Sequence, residues 1–228
     1  MKPVYIINGF LESGKTEFIT FTISQPYFQI RGKTLLIVCE EGEVEYDAKL
    51  LKKSRTDMVL IEEKEDFSIA NLMELEKKYK PERIIIEYNG MWNYKELQLP
   101  IHWQIEQQIT TIDASTFTMY YTNMKSLLAE MVRKSEMIIF NRCDGIEDLS
   151  NFKRNMKAVN PQAEIIFEGL EGPFYAELIE RIDAIVNTLN TGIELGEKEQ
   201  NYHSGSISRY KSYSWYNEEH NWDPQTLE

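Results

Sequence analysis

Cysteine is nearly absent from this chain: Cys39 and Cys143 are the two examples among 228 residues. No CxxC pair occurs, so neither a zinc ribbon nor a disulfide framework organises the fold. Histidine is equally sparse. His102, His203 and His220 form no H-x-x-x-H pattern and read as surface or half-buried residues rather than metal ligands. Long apolar runs are missing too, and none approaches the length of a membrane span. The opening "MKPVYIING" has neither the basic start nor the apolar stretch of a signal peptide, so the expected location is cytoplasmic, with no membrane partner. Positive charge is also in deficit. A net charge of −12 argues against bulk nucleic-acid binding, which needs a basic face.

What is there suits one substantial soluble domain with a real core: 42% apolar and 27% charged residues. Short, nearly continuous Ile/Leu/Val runs recur at Val4–Ile7, Leu35–Val38, Met58–Ile61, Arg83–Glu87, Gln107–Asp113, Met137–Phe140 and Glu164–Phe167. Such runs read as strands covered on both faces. Amphipathic stretches lie between them: "KTEFITFTI", "SIANLMELEKKYK" ending at Pro81, "MKSLLAEMVRKS", "NFKRNMKAV" and "FYAELIERIDAIVNTL". Alternating strands and helices predict an α/β fold of three layers, a mostly parallel sheet with helices on both faces. The texture changes near residue 192, where "GEKEQNYHSGS" is polar and "ISRYKSYSWYNEEHNWDP" reads as a strand opening something else.

Three loops after strands carry chemistry. "GFLESGKT", Gly9 to Thr16, matches the phosphate-binding pattern G-x-x-x-x-G-K-[ST] between a strand and a helix. Amides of the loop, from Gly9 through Glu12, Ser13 and Gly14, would wrap a phosphate. Lys15 would bridge the outer phosphates and the Thr16 hydroxyl would bind Mg²⁺. Local amides and one Lys suffice for this, whatever the net charge. "EYNG" follows the fourth strand; Glu87 there can hold Mg²⁺ through water, and Gly90 lets a backbone N–H approach the terminal phosphate. "NRCD" follows the sixth strand. Asp144 could accept from the guanine N1–H and exocyclic amine, a donor pair that adenine lacks. Asn141 would tie this loop to the base or the P-loop, and Arg142 would lay its stem along the ring.

In this order and spacing the motifs resemble those of the CobW/HypB/UreG family of P-loop GTPases, CobW-like members above all. The family's "GFLGAGKT" corresponds to "GFLESGKT", its "NEFGEVGID" to "CEEGEVEYD" (Cys39 to Asp47), its "ETTG" to "EYNG" and its "NKxD" to "NRCD". The resemblance runs over roughly residues 3 to 190. It implies a P-loop GTPase domain over 1–191, with 192–228 as linker and first strand of a missing or minimal C-terminal domain. It implies Mg²⁺-dependent GTP/GDP binding, slow GTP hydrolysis and a switch role, in many members in delivering metals to enzymes or cofactors. Catalysis then rests on Lys15 and Asp47, and the metal on Thr16, Glu40, Asp47 and Glu87. Of Glu40 and Asp47, one stands near Mg²⁺ and one positions the attacking water; their order is open. A client protein and a homodimer across the nucleotides are the implied partners.

Two departures matter. CobW-like metallochaperones commonly carry C-x-C-C before the "ETTG" strand, whereas "MVLIEEKEDF" holds Glu62, Glu63, Glu65 and Asp66 and no cysteine. Carboxylates suit hard ions and not a thiolate site, which leaves any transition metal open. The second departure is Glu12, a carboxylate inside an anion cradle. Turned inward it would face like charge, so it is expected to point outward, toward a partner's cation or ribose hydroxyl. Two alternatives to the switch are a small-molecule P-loop kinase, though no Arg-rich lid is evident, and a GTP-binding adaptor that does not hydrolyse.

Overall fold

The computed structural model describes residues 1 to 168 apart from Glu41 and Glu43. The helix expected over "FYAELIERIDAIVNTL" and the whole 192–228 region lie outside the described residues.

All seven expected strands form: β1 (Lys2–Asn8), β2 (Thr34–Val38), β3 (Thr56–Leu60), β4 (Arg83–Glu87), β5 (Trp103–Asp113), β6 (Met137–Asn141) and β7 (Glu164–Phe167). They make one sheet in the order β3-β2-β4-β1-β5-β6-β7, every pairing parallel. Parallel neighbours need covered crossovers, which is why β2 and β4 are buried along their whole length. Between them run α1 (Lys15–Ser24), α2 (Ala48–Lys53), α3 (Ile69–Tyr79), α4 (Phe117–Asn123), α5 (Lys125–Val132) and α6 (Leu149–Val159). No described helix is long and apolar enough to cross a membrane.

Strand alternation sorts the core into two layers. Tyr5 and Ile7 of β1 join Leu36, Val38 and Ile85 on the face covered by Ile19 and Ile23 of α1, with Leu50 and Leu51 of α2 alongside. Val4 and Ile6 join Leu35, Ile37, Ile84 and Ile86 on the opposite face, under Leu72 of α3. Further along that opposite face, Ile112, Ile138 and Phe140 pack against Leu128, Met131 and Val132 of α5 and Phe152 and Met156 of α6. The result is the expected three-layer α/β arrangement.

Local chemistry sets the helix ends. Ser68 caps α3 by accepting from the Asn71 N–H at 3.3 Å, and Asp148 caps α6 through Asn151 N–H at 3.2 Å. Lys80 closes α3 at φ 50°, directly before Pro81. A buried network then ties β1 to the far layer. Thr110 Oγ1 donates to Asn8 Oδ1 at 2.5 Å, and Asn8 Nδ2 donates to the Met131 carbonyl at 3.3 Å. Asn8 directly precedes the phosphate-loop sequence, so its strand end is fixed from the side as well as along the ladder.

The sheet order positions the site. From β1 the sheet extends through β4, β2 and β3 on one side and through β5, β6 and β7 on the other. The loop after β1 therefore lies at the reversal of strand order, where open parallel sheets leave a crevice beyond their carboxyl ends.

Candidate functional site

That crevice is an open cleft of about 290 Å³ whose lining includes Glu12, Gly14, Lys15, Thr16, Glu40, Glu87 and Arg142. Seven residues singled out from sequence thus meet at one place. Gly9, Ser13 and Gly90 are buried behind them, and Asn141 is half-buried. Asp47 and Asp144 are exposed and are not part of the lining. Asp47 instead caps α2, its carboxylate accepting from the Lys49 N–H at 2.8 Å.

The loop after β1 turns into α1 through Gly14, at φ 91°, where a side chain would be strained and its Cβ would overlap Asn141 Nδ2. No side chain caps the amides of this helix start, so they are open toward the cleft with the positive end of the helix behind them. Gly90 is equally constrained, because a Cβ there would overlap the Gly9 carbonyl. The "EYNG" turn therefore packs directly on the backbone of the phosphate loop.

Lys15 is 4% exposed, and its ammonium donates to the Gly9 carbonyl at 3.0 Å, the Phe10 carbonyl at 2.9 Å and Glu40 Oε2 at 2.6 Å. Glu87 closes the floor. Thr16 Oγ1 donates to its Oε1 at 2.8 Å and the Tyr46 hydroxyl donates to its Oε2 at 2.6 Å. Burial raises the Glu87 carboxyl above its usual value, against the hydroxyls of Tyr46 and Thr16 and the charge of Lys15, which pull it down. Burial also pushes the Tyr46 phenol well up, with the Glu87 charge adding to it, so Tyr46 is a donor.

The "NRCD" loop is stitched to the phosphate loop from the other side. Asn141 Nδ2 donates to the Ser13 carbonyl at 2.7 Å, and Arg142 Nη1 donates to the Glu12 carbonyl at 2.6 Å. The same Nη1 reaches Asp113 Oδ2 at 2.7 Å, while Nη2 lies 3.6 Å from Glu17. Glu12 and Arg142 both sit in the left-handed region, at φ 58° and 51°. The Glu12 side chain is exposed, as expected, and its backbone carbonyl is the part that the neighbouring loop uses. Asn141 Oδ1 is buried without a hydrogen-bond partner, a free acceptor at the junction of the two loops.

Two residues that the sequence reading passed over belong to the site. Asp113 ends β5 and lines the cleft. Burial pushes its carboxyl up, but hydrogen bonds from Ser115 and Arg142 more than offset this and hold it below the usual range. Its place at the carboxyl end of a central strand was a readable signal. Tyr46 is the other, hidden inside a charged run. The acidic stretch that stands where the family has thiolates behaves differently: Glu62, Glu63, Glu65 and Asp66 are all exposed. Among the described residues no group of three or more His, Cys, Asp or Glu side chains is arranged to hold a metal ion. Cys39 is fully buried at the end of β2, where burial and then the Glu87 charge push its thiol well above its usual value.

The chain is similar to the zinc-regulated GTPase metalloprotein activator 1 of Dictyostelium discoideum, 23% identical over 72% of this chain and 45% of that protein. It thus spans less than half of that relative's length. Among solved structures, hydrogenase maturation factor HypB from Archaeoglobus fulgidus matches with a TM-score of 0.55 and 19% identity, over 82% of this chain and 91% of that one. The Zn(II)-bound YjiA GTPase from E. coli matches with a TM-score of 0.53 and 19% identity, over 75% and 58%. These two share the fold. The model of the CobW/HypB/UreG nucleotide-binding domain matches residues 3–167, and the chain belongs to that family.

Proposed function

We propose that this protein binds guanine nucleotides with Mg²⁺, hydrolyses GTP slowly, and uses the cycle as a switch in delivering a metal or cofactor to a client protein. The observation that carries the reading is the convergence on one cleft of Lys15, Thr16 and Glu87, with the Asn141–Arg142 loop bonded to the same phosphate loop. The residues fit the ligand chemically. Thr16 and Glu87 offer oxygen donors alone, the preference of Mg²⁺. The uncapped amides of α1 suit phosphate, and the unpaired Asn141 Oδ1 suits a donor on the ligand.

Each residue then has a task. Lys15 neutralises charge on the outer phosphates. Thr16 and Glu87 would hold the metal, which would supply positive charge to neutralise charge developing on the phosphates. Asp144 selects guanine by accepting from the base's N1–H and exocyclic amine. Glu40 lies in the cleft on Lys15 while Asp47 caps a helix, so Glu40, once released from the ammonium by nucleotide, is the carboxylate nearer to orient a water. Arg142 is the arginine of the lining, and it is committed to the Glu12 carbonyl and Asp113. No arginine finger therefore serves the phosphates from within the described residues, and turnover is slow until a partner supplies a cation.

The metal-delivery part rests on the family and on the relative's description as a zinc-regulated metalloprotein activator. The exposed carboxylates of residues 62–66 are not arranged as a metal site and do not replace the family's thiolates as zinc ligands. The homodimer across the nucleotides, with exposed Glu12 at its rim, belongs to the same proposal. Single-turnover phosphate release from GTP tests the enzyme. The expected rate is on the order of 10⁻⁴ to 10⁻² s⁻¹, abolished by Lys15→Ala. Tight GTP binding with no phosphate released over days would leave the non-hydrolysing adaptor.

A further inference from the structure

The ammonium and the carboxylate that a Mg²⁺-nucleotide would need are both engaged, and one partner of each comes from the same stretch of chain. A lysine ammonium has three donors. On Lys15 all three are taken, two by carbonyls of its own loop and the third by Glu40 at 2.6 Å. The Lys15–Glu40 pair is withdrawn from water, at 4% and 11% side-chain exposure. Both oxygens of Glu87 are likewise taken, one by Thr16 and the other by Tyr46. Glu40 and Tyr46 both come from the connection between β2 and α2.

The chemistry of the two contacts matches the two halves of the ligand. The Glu40 carboxylate is an anion on the ammonium that the outer phosphates would use. The Tyr46 hydroxyl donates to the carboxylate that a metal-bound water would otherwise reach. Both contacts compete with the ligand. Lys15 can take a phosphate oxygen only by releasing an acceptor, and an anion beside a second anion is the unfavourable one to keep. The Tyr46 proton on Glu87 Oε2 takes one of that carboxylate's lone pairs and withdraws negative charge from it, so it competes with a metal or its water for the same oxygen.

We propose that Glu40 and Tyr46 form an autoinhibitory latch that engages the phosphate-binding ammonium and the metal-binding carboxylate and is displaced from them by Mg²⁺-nucleotide. The inference rests on the nucleotide-binding reading above and adds the regulation of that site. The latch has a lever. Tyr46 is followed by Asp47, the cap of α2, and Tyr46, Leu50 and Leu51 pack on the same core cluster as Ile19 and Ile23 of α1. Expelling Tyr46 therefore disturbs the seat of α2 and carries site occupancy to the surface beside edge strand β3. In the resemblance to "NEFGEVGID", Tyr46 stands where that segment has Ile.

The test is equilibrium binding of guanylyl imidodiphosphate, a GTP analogue that cannot be hydrolysed, with Mg²⁺ and with chelator. Three nucleotide-stripped proteins are compared: the unaltered chain, Tyr46→Phe, and Glu40→Gln. Thermal unfolding confirms that each is folded. Tyr46→Phe keeps the ring in its packing and removes the hydroxyl. It is expected to tighten binding about tenfold in Mg²⁺, the worth of one hydrogen bond to a charged group, and to leave binding in chelator unchanged. Glu40→Gln frees the ammonium and is expected to tighten binding in both conditions. Equal or weaker Mg²⁺-dependent binding by Tyr46→Phe would overturn the latch and make Tyr46 a structural support of Glu87. Failure of the unaltered chain to bind the analogue at all would instead overturn the nucleotide reading, and the latch with it.

Discussion

Asn141 donates from its Nδ2 to the Ser13 carbonyl at 2.7 Å, joining two loops 128 residues apart in sequence. This one bond sets the phosphate loop against the loop expected to read the base. Its geometry also explains Gly14, whose missing Cβ leaves the room that Asn141 occupies. Asn141→Ala removes the bond and the free acceptor on Oδ1 together. Nucleotide affinity is expected to fall at least about tenfold and stability by about 1 kcal/mol, read by calorimetric titration and urea unfolding. Unchanged affinity would mean that the two loops are positioned independently.

Gly90 makes the second backbone junction. Any Cβ there overlaps the Gly9 carbonyl, a backbone atom that cannot swing aside as a side chain can. Gly90→Ala is expected to cost about 1–3 kcal/mol, the range of an overpacked core, and to weaken nucleotide binding because the displaced atom belongs to the phosphate loop. Urea unfolding and titration check both parts.

Glu87 gives a pH dependence whose sign is fixed by its environment. Its carboxyl is raised from 4.5, with burial the main cause. The folded state therefore holds this proton more tightly than the unfolded chain does. The stability it contributes is full below the unfolded value and is lost as pH rises through the folded one. Glu87→Gln cannot ionise and escapes that loss. The nucleotide-free variant is expected to match the unaltered protein at about pH 4. At about pH 7 it should melt roughly 2–4 °C higher, the equivalent of about 1 kcal/mol in a domain of this size. Mg²⁺ dependence of nucleotide binding should disappear in the same variant, so stability and function move in opposite directions.

Glu12 uses its backbone and leaves its side chain outside. At φ 58° a non-glycine residue is strained, while its carbonyl receives Arg142. Glu12→Gly is expected to raise stability by about 0.5–1 kcal/mol and to change nucleotide affinity less than twofold. A change in self-association with nucleotide bound, measured by sedimentation, would place the carboxylate at a contact between two copies. Its absence would leave Glu12 as a solvated side chain on a strained turn.

The strands and the three loops were legible because both signals are local. A buried parallel strand must be apolar throughout, and each motif follows such a strand directly. Helices α2 and α4 escaped notice. The first is a six-residue "AKLLKK", and the second, "FTMYYTN", is made of residues with modest helix propensity that packing overrides. Within the site, Lys15, Thr16 and Glu87 were readable from spacing. Tyr46 was not, since its role depends on how the connection after β2 folds back over β4, and nothing in "EVEYD" marks one residue for Glu87. Asp113 lines the cleft from the end of β5, a readable position, but its pairing with Arg142 across 29 residues is encoded by no periodicity. Asp47 resembled a switch carboxylate by position, and the need to cap α2 explains why it turns to Lys49.

The most direct test of the whole account is calorimetric titration of nucleotide-stripped protein with GTP and with ATP, each with Mg²⁺. Tight GTP binding with no detectable ATP binding is the expected result, with selectivity lost in Asp144→Asn. Equal binding of GTP and ATP would contradict the guanine reading of "NRCD" and move a kinase or a general nucleotide hydrolase ahead of a GTPase switch.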